Sequence, residues 1–166
     1  MPFTPFHFGP GVALYAIAPR QVSFLSFCAA NVFIDVEVLY YARTQQLPLH
    51  RLCHTFCGAT LVLGAILALF LAASKWASTV VLPDLFGWKQ LALRPVAIGA
   101  ALGSYSHIAL DSIMHPDLRP WAPFSDANPL YALGSLGTLH GACVITGLVG
   151  LIVITVRYVH TSRNQR

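Results

Sequence analysis

The chain has 166 residues, of which 56% are hydrophobic and only 10% are charged. This composition lies far outside the balance of soluble globular proteins, so a water-soluble domain is excluded as a first hypothesis. The formal net charge of +4 comes from ten basic residues that are scattered along the chain. That pattern suits orientation in a membrane, and no nucleic-acid partner is expected.

Four apolar stretches of about 20 residues are each long enough to cross a hydrocarbon core of roughly 30 Å. They cover residues 22–41, 55–73, 95–114 and 133–156. A shorter stretch, residues 11–18, is too brief to span by itself and is expected to be re-entrant, interfacial or the start of a first helix. The predicted fold class is therefore all-α, an integral membrane helical bundle of four to five helices in one domain, residues 1–166.

The remaining segments carry weaker signals. No Lys or Arg precedes the first apolar stretch and no small-residue cleavage site follows it, so no cleavable signal peptide is expected. The four cysteines form no C-x-x-C pair and are expected to be small core residues. The proline-rich segment 116–129 is about 14 residues long, a length that is more often functional than merely connecting. We predict that it forms a lid or a wall.

The distribution of basic residues predicts an orientation. If the first short segment crosses, the connections alternate, and three basic residues lie on the side of the N-terminus against seven on the other side. The positive-inside rule then makes the second side cytoplasmic, which suggests the cytoplasmic (inner) membrane with the N-terminal side facing outward. If that segment does not cross, the contrast narrows to six against four.

Two acidic residues, Asp35 and Glu37, interrupt the first long apolar stretch. Ionisable groups inside such helices are costly and usually have a functional reason or a partner. Residues two apart on a helix point about 200° from each other, so one carboxylate faces a site while the other faces a neighbouring helix or the interface. Asp35 is favoured as the inward residue.

Two further groups of residues have the spacing of metal ligands. His50 and His54 are four residues apart, which on a helix places both imidazoles on one face. His107, Asp111 and His115 repeat that spacing and offer imidazole, carboxylate and imidazole along one stripe. Two nitrogens and a hard oxygen suit zinc, manganese or iron better than calcium.

The other histidines differ in their setting. Under the alternating topology, His7 lies toward the same membrane face as the two groups above. This position makes it a stronger candidate for a metal ligand than an ordinary interfacial histidine. His140 is interpreted as a polar contact inside a helix, and His160 as part of the charged tail.

Taken in order, these residues resemble the YdjM-like family of membrane-bound, metal-dependent hydrolases. The matching positions are His7, Gly9 and Gly11, then Asp35 and Glu37, then His50, Arg51, His54 and Thr55, and finally Ser106, His107, Asp111, Pro120 and Trp121. The chain departs from the family pattern at Ile34, where the family usually has proline, and in the shorter spacing from His50 to His54. The family is thought to be similar in fold to zinc-dependent phospholipase C and single-strand nucleases.

The sequence and the resemblance together predict a hydrolase that uses a divalent metal, with zinc favoured, to activate water. The predicted metal ligands are His7, Asp35, Glu37, His50, His54, His107 and Asp111. Arg51 and Arg119 are expected to hold an anionic group such as a lipid phosphoester, and His115 or Asp117 to act as an outer ligand or general acid or base. Two other hypotheses stay open: a transporter that relays protons or metal ions through the same residues, and a scaffold with a structural metal.

Overall fold

The computed structural model describes residues 4–164, which form five α-helices and no strand. The helices are α1 Phe8–Ile17, α2 Phe24–Arg43, α3 Phe56–Trp76, α4 Leu93–Met114 and α5 Leu136–Asn164. Short 3-10 helices cover Thr4–His7, Leu52–His54 and Leu85–Gln90. The predicted all-α bundle of four to five helices is confirmed.

Among the described residues, three helices, α2, α3 and α5, are long and apolar enough to cross a membrane. Only 28%, 22% and 11% of their most apolar windows are buried inside the bundle. Most of their apolar side chains therefore face outward, an arrangement suited to lipid rather than to water. The fourth predicted span, α4, is not among the three, and its buried face combines Val, Ala and Ile with Gly, Ser, His and Asp residues.

Helix α1 has ten residues and is about 15 Å long, half of a hydrocarbon core, as its sequence predicts. It lies parallel to α5 and in close contact with it. A Cβ atom on Gly9 would come within 1.9 Å of the carbonyl oxygen of Cys143, so only glycine permits this approach. At the other end of α1, the guanidinium of Arg157 donates to the carbonyl oxygen of Ala16.

Helices α2 and α4 are also parallel and closely packed. The backbone N–H of Ser23 donates to the carbonyl oxygen of Pro95 (3.0 Å), and the Ser26 hydroxyl donates to that of Val96 (2.9 Å). Further along the pair, a Cβ on Gly103 would lie 2.5 Å from the carbonyl oxygen of Phe27. Small residues thus bring the backbones together, as is common between membrane helices.

These contacts define two ends of the bundle. The histidine end contains His7 at the start of α1, His54 just before α3 and Met114 at the end of α4. The far end contains Ser23 and Pro95. Helices α1, α3 and α5 run from the histidine end, and α2 and α4 run toward it, so successive helices alternate in direction.

The hydrophobic core lies between α2, α3 and α4 and borders the histidine end directly. Its buried members are Ala30, Ile34, Ala59, Val62, Ile66, Ala100 and Ile108. Two of them adjoin site residues in the sequence: Ile34 precedes Asp35, and Ile108 follows His107. Tight apolar packing on this side therefore fixes where the polar side chains of the site point.

Candidate metal centre

Four side chains from three elements converge at the histidine end: Asp35 of α2, His54 before α3, and His107 and Asp111 of α4. The Nε2 atom of His107 lies 3.3 Å from Asp35 Oδ1 and 3.3 Å from Asp111 Oδ2. The Nε2 atom of His54 lies 3.6 Å and 3.8 Å from the same two oxygens. This group could hold a metal ion.

The separations match the geometry of one ion. Two donors bound tetrahedrally at ~2.0–2.1 Å lie about 3.3–3.4 Å apart. Four of the donor separations run from 3.3 to 3.8 Å, close to that range, and all the ligand atoms lie within 4.8 Å of one another. The side chains of His54, His107 and Asp111 are at most 3% exposed and that of Asp35 is 24% exposed, so the group opens to the surface at Asp35.

Several atoms that face this space lack ordinary partners. His54 Nε2 and His107 Nε2 are buried and form no hydrogen bond of ordinary geometry among the described residues, although each lies 3.3–3.8 Å from carboxylate oxygens of Asp35 and Asp111. Buried polar atoms are nearly always satisfied, so such a cluster calls for a ligand. The donor set, two imidazoles and two carboxylates, suits a divalent transition metal.

The opposite ring nitrogens of the two buried histidines are held by neighbours. His107 Nδ1 lies 2.9 Å from Oδ1 of Asn31, whose amide nitrogen donates to the carbonyl oxygen of Phe27. The Asn31 oxygen is therefore an acceptor, and His107 must carry its proton on Nδ1. His54 Nδ1 lies 3.4 Å from Oε2 of Glu37. Both arrangements direct an Nε2 lone pair into the site, the pattern of metal-ligating histidines.

Glu37 occupies a different position from the one the predicted ligand set gives it. Its carboxylate accepts hydrogen bonds from the backbone N–H groups of Arg51 (3.1 Å) and Cys53 (3.0 Å) as well as contacting His54. It lies behind His54, outside the group of four. Glu37 thus anchors the 51–54 segment to α2, whereas Asp35 faces the group.

Around His50 the chain is not helical, unlike the helix expected from the spacing of His50 and His54. A 3-10 helix begins only at Leu52, and α3 begins at Phe56, where the Thr55 hydroxyl accepts from Gly58 N–H. The two rings still meet, with centroids 4.7 Å apart. The non-helical chain at His50 and the 3-10 helix that follows it bring the two rings together.

His115 lies just beyond the helical face that it was predicted to share with His107 and Asp111. Helix α4 ends at Met114, and His115 is extended (φ −114°, ψ 117°), so only His107 and Asp111 share a helical face. Its ring lies 4.5 Å from that of His50. His50, Asp111 and His115 form a second group whose ligand atoms lie within 4.8 Å of one another.

Two predicted residues border these groups. His7 Nε2 lies 3.2 Å from Asp111 Oδ1, and its ring stacks on His107 at 4.4 Å, so it contacts the centre from α1. Asp117 Oδ2 lies 2.9 Å from His50 Nδ1. Asp117 therefore orients His50 from behind rather than facing the group of four.

Both predicted anion-binding arginines have other partners. The Arg51 guanidinium donates to the carbonyl oxygens of Pro48 (3.0 Å) and Leu47 (3.3 Å) and lies 3.7 Å from the centroid of the Tyr41 ring. Arg119 is paired with Asp126 at 2.9 Å, and both side chains are largely exposed. Arg51 thus stabilises the 47–51 turn, and Arg119 forms an exposed ion pair.

The proline-rich segment forms a wall beside the centre. The Phe56 N–H donates to the carbonyl oxygen of Pro120 (2.9 Å), and the Phe56 and Trp121 rings pack at 4.7 Å. The Asn128 amide donates to the carbonyl oxygens of Ser112 and His115. These bonds fix the segment to α3 and to the end of α4.

The pKa values of the loop residues His54, His115 and Asp117 are shifted in different directions. Burial lowers the pKa of His54, but the adjacent carboxylates of Asp35 and Glu37 outweigh it and raise that pKa overall. Burial lowers the pKa of His115. Burial tends to raise the pKa of Asp117, but the hydrogen bond with His50 brings it below the usual value.

The remaining predicted positions lie apart from the two groups. His140 of α5 stacks on Phe6 at 4.3 Å, as a contact within the bundle, and His160 lies near Asn164 in the tail. The four cysteines are all free thiols in the part of the chain described. Burial, followed by the nearby Glu37 carboxylate, raises the pKa of the Cys53 thiol to about 11.

Asn31 is the residue of the centre that the sequence prediction missed. It is fully buried, and it lies one helical turn before Asp35, on the same face of α2. A buried amide four residues before a carboxylate in an apolar helix was the available signal.

Comparison with known proteins adds no relative. No family model matches the chain, and no curated protein or solved structure matches it.

Proposed function

We propose that the protein is a membrane-bound, metal-dependent hydrolase of a phosphoester, with a lipid-like substrate, and that it is related to the YdjM-like family. The observation that carries the proposal is the convergence of Asp35, His54, His107 and Asp111, with buried donor atoms that form no hydrogen bond of ordinary geometry among the described residues. Zinc is the proposed metal, since two imidazoles and two carboxylates match its preferences. When bound, such an ion lowers the pKa of its water toward ~7 and polarises the substrate oxygen.

The other roles at the proposed site belong to residues of the chain. With an ion bound, Glu37 and Asn31 would hold the Nδ1 protons of His54 and His107, which would leave each Nε2 as the ligand atom. Asp111 contributes a deeply buried charge, and Asp35 lies at the open edge where a substrate can approach. Binding of the substrate's negative charge is assigned to the metal site, because Arg51 and Arg119 are engaged elsewhere.

The position of the centre supports a lipid-like substrate. His107 lies twelve residues after Pro95, which places it about 18 Å along α4 from the far end. The site is therefore close to the histidine end of the bundle, beside the level where headgroups meet the hydrocarbon. A phosphoester carried by a lipid would reach it without leaving the membrane.

A transporter or proton relay is less well supported. Such a function needs polar groups through the depth of the membrane. Within residues 4–164 the buried histidine and acidic side chains, His7, His54, His107 and Asp111, are all at the histidine end. Toward the far end the buried polar side chains include Ser23 and Ser26, and Ser26 is bonded to backbone carbonyl oxygens.

The test is hydrolysis of phosphatidylcholine, with a chromogenic phosphodiester in parallel, by the detergent-purified protein. Chelation should abolish turnover, zinc should restore it, and His54→Ala should remove it. The control is His160→Ala, at the exposed end of α5, which should retain wild-type rates. A metal-loaded wild type that hydrolyses neither substrate class would favour the scaffold hypothesis instead.

A further inference from the structure

We propose that the far end of the bundle binds an anionic phospholipid, with its phosphate between Arg20 and Arg157 and an acyl chain in an apolar cavity along the start of α2. This site is separate from the metal centre, because Arg20 lies in the turn between α1 and α2, at the opposite end of the bundle. The lipid would be a bound structural component rather than a substrate. The inference therefore does not depend on the proposed hydrolase activity.

The first of two adjacent cavities is apolar and extends along a membrane-spanning helix. It has a volume of about 740 Å³ and lies between the α1–α2 turn, the start of α2 and the segment that leads into α4. Its lining includes Tyr15, Phe24, Leu25, Cys28, Phe86 and Leu91. Cys28 lies four residues after Phe24, which is about 6 Å along the helix. A cavity that begins at the end of the bundle and continues beside an apolar helix suits an acyl chain.

The second cavity adjoins the first and is basic. It has a volume of about 760 Å³ and lies between the α1–α2 turn and the last part of α5. The two cavities share Pro19 and Arg20, and Arg157 lines the α5 side of the second one. No acidic residue of the described chain lines either cavity. Within residues 4–164, neither Arg20 nor Arg157 forms an ion pair with a carboxylate.

Both arginines have hydrogen-bond donors available for a phosphate. The guanidinium of Arg157 donates from Nη1 to the carbonyl oxygen of Ala16, which holds the side chain against the end of α1. A guanidinium has five N–H donors, so this bond leaves others for an anion. Arginine binds phosphate oxygens through paired, charge-assisted hydrogen bonds. A phosphate between Arg20 and Arg157 would therefore connect the α1–α2 turn to α5.

The charge of the far end favours an anionic occupant. Asp84 is the single acidic residue that the described chain places there, and its carboxylate accepts from the Lys89 N–H (3.1 Å) and the Gln90 amide (3.3 Å). The basic residues of the same end are Arg20, Lys75, Lys89, Arg94, Arg157 and Arg163. Basic pockets between helices on the cytoplasmic side bind acidic lipid headgroups. The positive-inside rule predicts that this end faces the cytoplasm.

The adjacency of the two cavities favours a phospholipid over other occupants. A soluble anion would contact the basic cavity and leave the apolar one unfilled. A neutral lipid would fill the apolar cavity and leave Arg20 and Arg157 without a counter-charge. An anionic phospholipid has a phosphate and acyl chains in one molecule, so it matches both cavities across the shared Pro19 and Arg20.

The experiment is a lipid titration of the detergent-purified full chain, measured by native mass spectrometry and by thermal unfolding. Dioleoylphosphatidylglycerol should stay bound at one molecule per chain and raise the melting temperature. Dioleoylphosphatidylcholine and inorganic phosphate should do neither. Arg20→Gln should lower the affinity for phosphatidylglycerol about 5-fold. Cys28→Phe should also lower it, because the larger side chain fills the apolar cavity. The matched control is Arg163→Gln, which removes the same charge from α5 outside both cavities.

Three results would overturn the proposal. Equal retention of phosphatidylglycerol and phosphatidylcholine would show that the headgroup charge does not matter. Equal affinities of Arg20→Gln and Arg163→Gln would mean that a general attraction to the basic surface explains binding. Stabilisation by inorganic phosphate as large as that by phosphatidylglycerol would indicate a site for a soluble anion. None of these results bears on metal binding at the histidine end, so the proposed function would stand or fall separately.

Discussion

The side-chain oxygen of Asn31 lies 2.9 Å from Nδ1 of His107, between two parallel helices and fully shielded from solvent. The amide cannot be turned around without loss, because its nitrogen donates to the carbonyl oxygen of Phe27 at 2.8 Å. The contact therefore assigns the imidazole proton to Nδ1 and leaves Nε2 to face Asp35 and Asp111. A chain of two hydrogen bonds, beginning at the backbone of α2, orients a proposed metal ligand on α4.

Replacing Asn31 tests that relationship. Asn31→Leu removes the acceptor and should weaken metal binding by about 10–100-fold, the usual effect of losing the partner behind a metal-bound histidine. Asn31→Asp keeps an acceptor for His107 Nδ1 but loses the donor to the Phe27 carbonyl oxygen, so it should lose less affinity than Asn31→Leu. Competition with a chromogenic chelator measures both. Equal affinity in wild type and Asn31→Leu would show that His107 needs no such support.

The carboxylate of Glu37 offers a second test, because it organises the loop that carries His54. Glu37→Gln removes the charge that faces His54 Nδ1 and weakens the bonds to the N–H groups of Arg51 and Cys53. We expect a metal affinity lower by about 10-fold. We also expect faster proteolysis of the 47–54 segment. Asp126→Asn, at an exposed ion pair, is the matched control and should change neither.

Sequence reasoning could predict most of this fold, because apolar stretches of spanning length leave few options other than a helical bundle. The sequence did not predict which helices pack against each other, because the close contacts depend on glycines whose neighbours lie far away in the sequence. The close approach of Gly103 to Phe27 is one example.

Spacing alone predicts which residues of the candidate site share a helical face, whereas the contacts of its loop residues depend on tertiary structure. His107 and Asp111 share a face because α4 is a regular helix. The rings of His50 and His54 are in contact although no regular helix joins the two residues. The partners of Arg51 are carbonyl oxygens of a turn that no motif specifies.

The packing of α2 against α4 predicts the effect of a single methyl group. Gly103→Ala would place a Cβ 2.5 Å from the carbonyl oxygen of Phe27, and the resulting overpacking should cost about 1–3 kcal/mol. Gly141→Ala of α5 meets no described atom within 4 Å and should be neutral or slightly stabilising. Thermal unfolding in one detergent compares the two. Equal melting temperatures would mean that α2 and α4 do not approach so closely.

The alternating topology and the positive-inside rule predict that the histidine end faces outward and the end of α5 faces the cytoplasm. Single cysteines in place of Gln46 and Asn164, in a chain whose native cysteines are replaced by serine, report the two sides. A membrane-impermeant maleimide added to intact bacterial spheroplasts should label the first position and spare the second. The reverse pattern would invert the orientation, and labelling of both would contradict the alternation.

The most direct test of the central claim is the metal content of the purified protein by plasma mass spectrometry, with His54→Ala and Asp111→Ala measured beside wild type. We expect stoichiometric zinc, or manganese or iron in its place, in wild type and its loss from both variants, with His160→Ala unchanged. Circular dichroism must show that each variant keeps its helices. Folded wild-type protein that holds no metal, even after incubation with these ions, would contradict the account and leave the buried histidines and carboxylates as a proton or ion relay.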